Sequence, residues 1–295
     1  MRIFVTGASG WIGSAVTAEL LGAGHQVVGL ARSEESAARI AALGAEVRRG
    51  HLDDLDGLRA GAADAEGVVH LGYNHDFSRM ADAAQTDAAA IAAIGDALAG
   101  TGRPFFIASG VAGLPGKPAT EETAGDPNLM PRMANAHATL ALAARGVRSG
   151  VIRFAPTVHG EGDHGFIAVL AGIAREKGVA AYVGDGAGRW PAVHVLDAAR
   201  LVRLAVEQAA PGAIVHAVAE EGVPTREIAE AIGRGLDVPT KSIPADEAIA
   251  HFGWIGPFFG MDSLVSSELT RKDLGWTPTH QGLIADLDAG YYTRS

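Results

Sequence analysis

The stretch MRIFVTGASGWIGSA (residues 1–15) decides the fold, because an apolar strand pattern runs directly into regularly spaced glycines and then into a helix pattern. Gly7 permits a tight turn, Gly10 lets the backbone approach a pyrophosphate, and Gly13 allows the helix to pack closely on the strand. The helix N-terminus adds N–H donors and the positive end of the helix dipole. The stretch therefore predicts a dinucleotide site, formed by Gly7, Ser9, Gly10, Trp11, Ile12 and Gly13.

Short β-type runs continue to alternate with alanine-rich helical stretches through the first half of the chain. The predicted strands are residues 3–6, 26–30, 46–48, 67–71, 104–108 and 150–153. Such alternation predicts an α/β fold, a Rossmann-type doubly wound parallel sheet with a smaller C-terminal α/β substrate lobe. We expect residues 1–158 to form the nucleotide-binding domain, with strands near 180–183 and 213–218 returning to it. Residues 159–295 would then form mainly the substrate-binding lobe.

Composition narrows the class of protein. The 295 residues are 48% hydrophobic and 20% charged, with a formal net charge of −10 and no cysteine. The negative charge argues against a nucleic-acid or acidic-membrane surface, and the missing cysteines exclude disulfides, a thiol nucleophile and a thiolate metal site. No signal-peptide pattern and no apolar run of roughly 18 residues is visible. We expect a cytoplasmic protein whose partner is a small-molecule substrate.

The second predicted strand ends in Ala31, Arg32 and Ser33. An NAD site usually has an acidic residue here for the ribose hydroxyls, whereas a 2′-phosphate requires a cation and no carboxylate. Arg32 supplies the cation and Ser33 an additional donor, so the sequence favours NADP(H) over NAD(H). The alternative is that Arg32 is only a solvated residue at a strand end.

Four further motifs, at residues 50–53, 68–72, 152–158 and 184–197, follow the glycine motif in order. Together they resemble the extended short-chain dehydrogenase/reductase family, the NAD-dependent epimerase/dehydratase group, over essentially the whole chain. The resemblance implies that Leu52 and Asp53 lie at the adenine and that Leu71 and Gly72 lie at the bridging phosphate and ribose. It further implies that Pro156 and Val158 line the nicotinamide site. It also implies a homodimer.

Catalysis in that family is attributed to a Ser or Thr together with a Tyr-x-x-x-Lys pair on a helix. Ser109 fits the serine position, at the end of the predicted strand 104–108. In the best register, however, Met133 stands at the tyrosine position and His137 at the lysine position. Methionine cannot donate a proton. The proton would then come from His137, His75, Ser109 or water, and the alternative for His137 is a helix-surface residue.

Several side chains could contact a substrate. Asn74 and His75 follow the fourth strand, where a loop would overhang the nicotinamide. The further substrate candidates are Val111, His159, Trp190 and His194. The spacing of His159, Glu161, Asp163 and His164 suggests a metal site, but we expect none, since this glycine-rich segment is an ordinary loop in the family it resembles.

These features favour an NADP(H)-dependent oxidoreductase that acts on a small, apolar carbonyl or imine substrate. An iminium needs no proton in step with hydride transfer, so Met133 is compatible with imine reduction. A non-catalytic NADP(H)-binding redox sensor is the alternative. A nucleotide-sugar epimerase or dehydratase is the third hypothesis, and the missing tyrosine counts most against it.

Overall fold

The computed structural model describes residues 1–74, 80–116, 118–127 and 131–293. The strands are β1 (Arg2–Thr6), β2 (Gln26–Ala31), β3 (Glu46–Arg49), β4 (Gly67–His70), β5 (Pro104–Gly110), β6 (Arg148–Phe154), β7 (Thr157–His159), β8 (Ala180–Val183), β9 (Arg189–His194), β10 (Ala213–Ala217), β11 (Glu220–Pro224) and β12 (Thr240–Ile243). The α-helices are α1 (Trp11–Gly22), α2 (Glu34–Ala42), α3 (Leu55–Ala63), α4 (Met80–Leu98), α5 (Pro131–Ala141), α6 (Phe166–Lys177), α7 (Val195–Gln208), α8 (Thr225–Leu236), α9 (Ala248–Phe252), α10 (Gly256–Phe259), α11 (Glu268–Leu274) and α12 (Leu283–Asp288).

The central sheet has the strand order β10-β6-β5-β4-β1-β2-β3, and its neighbouring strands are parallel. Ile3 of β1 pairs with Val27 on one side and with Gly67 on the other. The order of strands reverses at β1. Strands β2 and β3 follow on one side of it, and the chain then returns to place β4 on its other side. In open parallel sheets ligands bind at this point, beyond the carboxyl ends of the strands. The predicted Rossmann-type sheet is confirmed.

Helices cover both faces of the central sheet, which explains why its inner strands, such as β1 and β4, are buried along most of their length. Ile3, Phe4 and Val5 of β1 are all fully buried. Helices α1 and α7 pack on one face, and α3, α4 and α5 on the other. Burial on both faces leaves the carboxyl edge of the sheet as the open side on which a ligand can sit.

A second core lies in the C-terminal part of the chain, among α6, α8, α9, α10 and α12. Two small sheets border it, with strand orders β11-β9-β7 and β12-β8. Strand β10 lies at the edge of the central sheet, whereas β8 pairs with β12. The expectation that the strand near 180–183 returns to the central sheet is therefore wrong, because its apolar face packs into the second core, where Ala180 and Ala181 are buried. Among the described residues, no helix combines the length and the apolar character needed to cross a membrane.

Candidate active-site cleft

The glycine turn between β1 and α1 has the geometry that a dinucleotide requires. Gly7 has φ +70°, and a Cβ at this position would lie 2.7 Å from the backbone nitrogen of Gly72. A Cβ on Gly13 would overlap the carbonyl oxygen of Gly7. Gly10 caps α1 without a side-chain hydrogen bond, so no side chain covers the first turn of the helix. A pyrophosphate can therefore approach the N-terminus of α1, and the residues present fit a dinucleotide cofactor.

A cleft of about 640 Å³ begins at this turn and crosses the carboxyl ends of β4, β5 and β6. Most of the cofactor residues predicted near the pyrophosphate and nicotinamide line it: Gly7, Gly10, Trp11, Ile12, Gly13, Leu71, Pro156 and Val158. The indole Nε1 of Trp11 donates to the carbonyl oxygen of Val158 at 2.7 Å. This bond joins the glycine turn to β7 across the cleft.

The predicted adenosine end lies beyond these cleft residues. Ala31 is buried at the end of β2 and Arg32 is exposed. The hydroxyl of Ser33 caps α2 by accepting from the backbone N–H of Ser36. Ala31 pairs in register with Arg49 of β3, which sequence reasoning missed although it directly follows the predicted strand 46–48. The structure thus brings two arginines to the ends of neighbouring strands, and Arg49 forms an ion pair with Glu34.

The other adenine and ribose candidates lie around the same edge. Asp53 is exposed, and its Oδ1 accepts from the hydroxyl of Thr86 at 3.2 Å. Leu52 is half-buried close to Gly72, whose added Cβ would lie 3.3 Å from Leu52 Cδ2. Gly72 itself donates its N–H to Thr6 Oγ1 at 3.0 Å. Ser9 lies within the glycine turn.

Ser109 and Met133 lie in the cleft as the register predicts. Both line its wall, and both are 6% exposed. His137 is exposed on α5 and does not line the cleft. The helix turns Asn135, Ala136 and Thr139 inward, and this orientation leaves His137 in solvent. The expectation that His137 delivers the proton is thereby corrected, while His75 lies outside the described residues.

Arg132 is a cleft residue that sequence reasoning missed. Its Nη2 donates to the carbonyl oxygen of Ala108 at 3.0 Å. Its guanidinium carbon lies 4.0 Å from the ring centroid of Tyr73. Burial lowers the pKa of Arg132 and raises that of Tyr73, but the guanidinium stays charged at any physiological pH. The available signal was an arginine directly beside the position assigned to the tyrosine.

The far end of the cleft is aromatic. Trp190 is 2% exposed, and its indole Nε1 donates to the carbonyl oxygen of Phe258 at 2.9 Å. Phe166 packs against Trp190 and Trp254, with ring centroids 5.9 Å and 5.6 Å away. The predicted substrate residues Trp190 and Asn74 both line the cleft.

Three other substrate candidates do not line the cleft. Val111 is fully buried among core residues. His159 is also fully buried, and its Nδ1 lies 2.5 Å from a carboxylate oxygen of Asp286. His194 accepts from the N–H of Leu196 and stacks on His280. The expectation of substrate contact at these positions is corrected, because each side chain is engaged away from the cleft lining.

Asp163 and His164 form part of the cleft wall next to Trp11. Burial raises the pKa of the Asp163 carboxyl, although it accepts from the Gly165 N–H at 2.7 Å and from the Tyr292 hydroxyl at 2.9 Å. The carboxylate is thus held by two donors. Among the described residues that line the cleft, Asp163 is the one that carries a carboxylate.

The sequence profile of the NAD dependent epimerase/dehydratase family matches residues 3–227. An uncharacterized protein of Schizosaccharomyces pombe is 48% identical over 294 residues, covering 99% of this chain and 100% of the relative. An uncharacterized protein of Saccharomyces cerevisiae is 43% identical over 295 residues, covering 99% of each.

Among solved structures, UDP-glucose 4-epimerase of Thermotoga maritima with UDP-glucose has a TM-score of 0.78. It is 19% identical, with 99% of this chain and 98% of that chain covered, and so it supports the fold alone. The family match covers most of the chain, including the glycine turn and the strand that carries Ser109. The chain therefore belongs to the NAD dependent epimerase/dehydratase family.

Proposed function

We propose that this chain is an NADP(H)-dependent reductase that acts on a small, largely apolar carbonyl substrate. The observation that carries the proposal is a single cleft that begins at the glycine turn and ends among aromatic side chains. When bound, a reduced nicotinamide cofactor supplies a hydride to an electrophilic carbon. The chain's own residues bind the cofactor, orient the substrate and exclude water.

The lining of the far end supports an apolar substrate. Its side chains are Phe166, Val169, Trp190, Trp254, Phe258 and Met261. Such a surface gains from burying an apolar body and offers few partners to sugar hydroxyls. A nucleotide-sugar substrate is less compatible with this end of the cleft than a small apolar one.

The polar wall near β5 supports a carbonyl over an imine. Ser109 places a hydroxyl on the cleft wall, where it can hold a substrate oxygen. Arg132 adds a positive charge to the same wall, and a cation disfavours a positively charged iminium nearby. Met133 contributes no proton, so the Ser109 hydroxyl, His75 or water would deliver it.

Two arginines support NADP(H) as the cofactor. Arg32 follows β2, Arg49 ends β3, and the two strands are adjacent in the sheet. A 2′-phosphate placed between these strand ends would meet the guanidinium of Arg32 and that of Arg49, which is shared with Glu34; guanidinium groups bind phosphate through paired N–H donors. The Ser33 hydroxyl is engaged in the cap of α2, so its additional contribution is smaller than the sequence suggests.

The cofactor proposal is tested by titrating the protein with NADPH and NADH and following nicotinamide fluorescence. We expect NADPH to bind at least about ten-fold more tightly, and R32A to remove most of that preference. R39A is the matched control, since Arg39 is an exposed arginine on the neighbouring helix α2 that pairs with Glu35. An unchanged NADPH preference in R32A would exclude Arg32 as the phosphate ligand.

The reaction is tested with NADPH and a panel of small aromatic ketones, cyclic imines and nucleotide sugars, with S109A measured in parallel. We expect ketone reduction that S109A lowers at least ten-fold, because the variant removes the hydroxyl that holds the substrate oxygen. Tight NADPH binding without any turnover would overturn the reductase proposal. That outcome would favour a redox sensor, which the replacement of the tyrosine position by Met133 also favours.

A further inference from the structure

The guanidinium of Arg132 is a buried charge that no carboxylate of the described residues contacts, although the carboxylate of Asp87 acts on it electrostatically from beyond ion-pair distance. Its Nη2 donates to the carbonyl oxygen of Ala108, while its Nε is sealed from solvent and makes no hydrogen bond within the described residues. Within the part of the chain that the structure describes, no carboxylate oxygen lies within the ion-pair distance of 4.0 Å from the Arg132 guanidinium. Several exposed arginines of the described residues do have such a partner, for example Arg145 with Asp96 and Arg234 with Asp288.

This arrangement has an energetic cost that a ligand could offset. Moving a guanidinium out of water is unfavourable by several kcal/mol unless a negative group or several acceptors compensate it. One carbonyl oxygen, the face of the Tyr73 ring and the more distant charge of Asp87 compensate only part of this cost. An anionic ligand in the cleft would supply the remainder.

The guanidinium is also held in a fixed position. The Tyr73 ring lies 4.0 Å from its centre on one side, and the bond to Ala108 anchors Nη2 at the end of β5. Ser109, the next residue along β5, lines the cleft beside it. The two Nη groups of a planar guanidinium fixed in this way lie in one plane, which suits the two oxygens of a carboxylate.

The rest of the wall points to the same class of ligand. Asp163, the carboxylate on the cleft wall, is bonded to Tyr292 and to the backbone of Gly165. Many of the other side chains that line the cleft are aromatic or aliphatic, among them Phe166, Val169 and Trp190. The cleft thus combines a largely apolar lining with one positive charge that is held in place, that of Arg132.

We propose that Arg132 binds a carboxylate of the substrate, so that the cleft accepts small molecules with an apolar body and one carboxylate group. This inference rests on the proposed function, since it assumes that the ligand of the cleft is a substrate, and it names the chemical class of that substrate. Arg132 acts as a specificity-determining residue, with no bond made or broken at the guanidinium.

The test uses phenylacetate and the nearly isosteric neutral phenylacetamide as inert probes, with binding to the NADP⁺-saturated protein measured by calorimetry. We expect phenylacetate to bind at least about ten-fold more tightly than phenylacetamide. R132Q should abolish this preference. R132K should keep part of it, because lysine retains the positive charge but lacks the paired N–H donors of the guanidinium.

The matched control is R148Q. Arg148 is another partly buried arginine that donates only to carbonyl oxygens, those of Val206 and Ala209, and it lies at the amino end of β6, away from the cleft. It should keep the wild-type preference. Thermal unfolding of each variant checks that the fold is intact, and the wild-type comparison of the two probes needs no variant.

Three outcomes would overturn the proposal: equal binding of the two probes, no binding of either, or a preference that persists in R132Q. Weaker NADPH binding in R132Q with unchanged phenylacetate binding would also overturn it, by assigning Arg132 to the cofactor ribose. Failure of the proposed function looks different. In that case phenylacetate would bind through Arg132 while the NADPH-dependent panel shows no turnover.

Discussion

The imidazole Nε2 of His70 lies 3.0 Å from Oδ1 of Asp87, and the two side chains are only 2% and 3% exposed. On its other side the imidazole Nδ1 lies 2.8 Å from Thr6 Oγ1, which accepts from the N–H of Gly72. Asp87 Oδ2 accepts from Asn135 Nδ2 at 2.7 Å. A continuous buried hydrogen-bond chain therefore joins the nucleotide end of β4 to α4 and to α5, the helix that carries Met133 and Arg132.

Removing Asp87 breaks this chain in the protein interior. Burial alone would raise the pKa of the Asp87 carboxyl, but the His70 and Asn135 hydrogen bonds and the charge of Arg132 bring it below its ordinary value. D87A removes the buried partner of His70 Nε2 and of one N–H of the Asn135 amide, whose nitrogen still donates to the carbonyl oxygen of Ala84 at 3.0 Å. We expect the free energy of unfolding, measured by urea denaturation, to fall by about 3 kcal/mol.

The control is D96N. Asp96 pairs with Arg145 at 2.9 Å, but both side chains are about half exposed, at 53% and 49%. Exposed pairs contribute roughly 0.5 kcal/mol, so D96N should change stability little. Equal losses in D87A and D96N would show that the buried chain has no special contribution.

Gly13 is expected to be essential for the nucleotide turn. A Cβ there overlaps the carbonyl oxygen of Gly7, so G13A forces the turn and the start of α1 apart. We expect NADPH affinity to fall at least about 100-fold in a fluorescence titration, because the backbone donors lose their arrangement. G22A in the same helix is the control, since nothing lies within 4 Å of a Cβ at Gly22. G22A should bind NADPH normally, and a G13A variant that does the same would contradict the assignment of the turn.

The features that the sequence predicted well are local ones. The glycine turn needs seven consecutive residues, and the apolar strands of the central sheet show their burial in their composition. The register that places Met133 and Ser109 in the cleft also needed only the spacing between one strand and the next helix. His137 failed because four-residue spacing does not state which part of a helix face meets solvent.

The features that were missed depend on distant partners. Arg132 lines the cleft together with Tyr73 and Ala108, which come from the ends of two different strands. His159 was predicted as a substrate contact, but its carboxylate partner Asp286 is 127 residues further along the chain. No spacing rule relates such residues, and only the folded arrangement brings them together.

Acidification is expected to destabilise the protein through His194. This imidazole stacks on His280, with ring centroids 4.6 Å apart, and meets His159 edge to face. Burial, followed by the nearby charges of His159 and His280, lowers the pKa of His194, against the opposing effects of Asp286 and Asp197. The unfolded chain then takes up this proton first as pH falls. The stabilisation is complete above about pH 6.5 and is lost as pH falls from there towards the lower folded pKa.

H194N tests this pH dependence, because asparagine keeps the capping of α7 and cannot take up a proton in this range. Between pH 8 and pH 5.5 we expect the Tm of H194N to fall less than that of the wild type, by about 2 °C. Part of the fall should remain, since burial lowers the pKa of His216 as well. Parallel Tm profiles for the two proteins would exclude His194 as a contributor.

Met133 offers a direct test of the missing acid. It lines the cleft, and its sulfur packs against Gly125 so closely that a Cβ at Gly125 would overlap it. M133Y would place a phenol on the wall that Ser109 also lines. A positioned general acid accelerates such reactions by roughly 10²–10⁴-fold. We therefore expect M133Y to reduce a small aromatic ketone with a kcat at least about ten-fold above that of M133F.

M133F is the matched control because it introduces the same ring without the hydroxyl. Both variants crowd Gly125 equally, so any loss of stability or of NADPH binding is common to the two. The difference in kcat therefore measures only the hydroxyl. Equal kcat values in M133Y and M133F, with intact NADPH binding, would mean that position 133 does not reach the substrate oxygen, and the register that equates it with the tyrosine would be wrong.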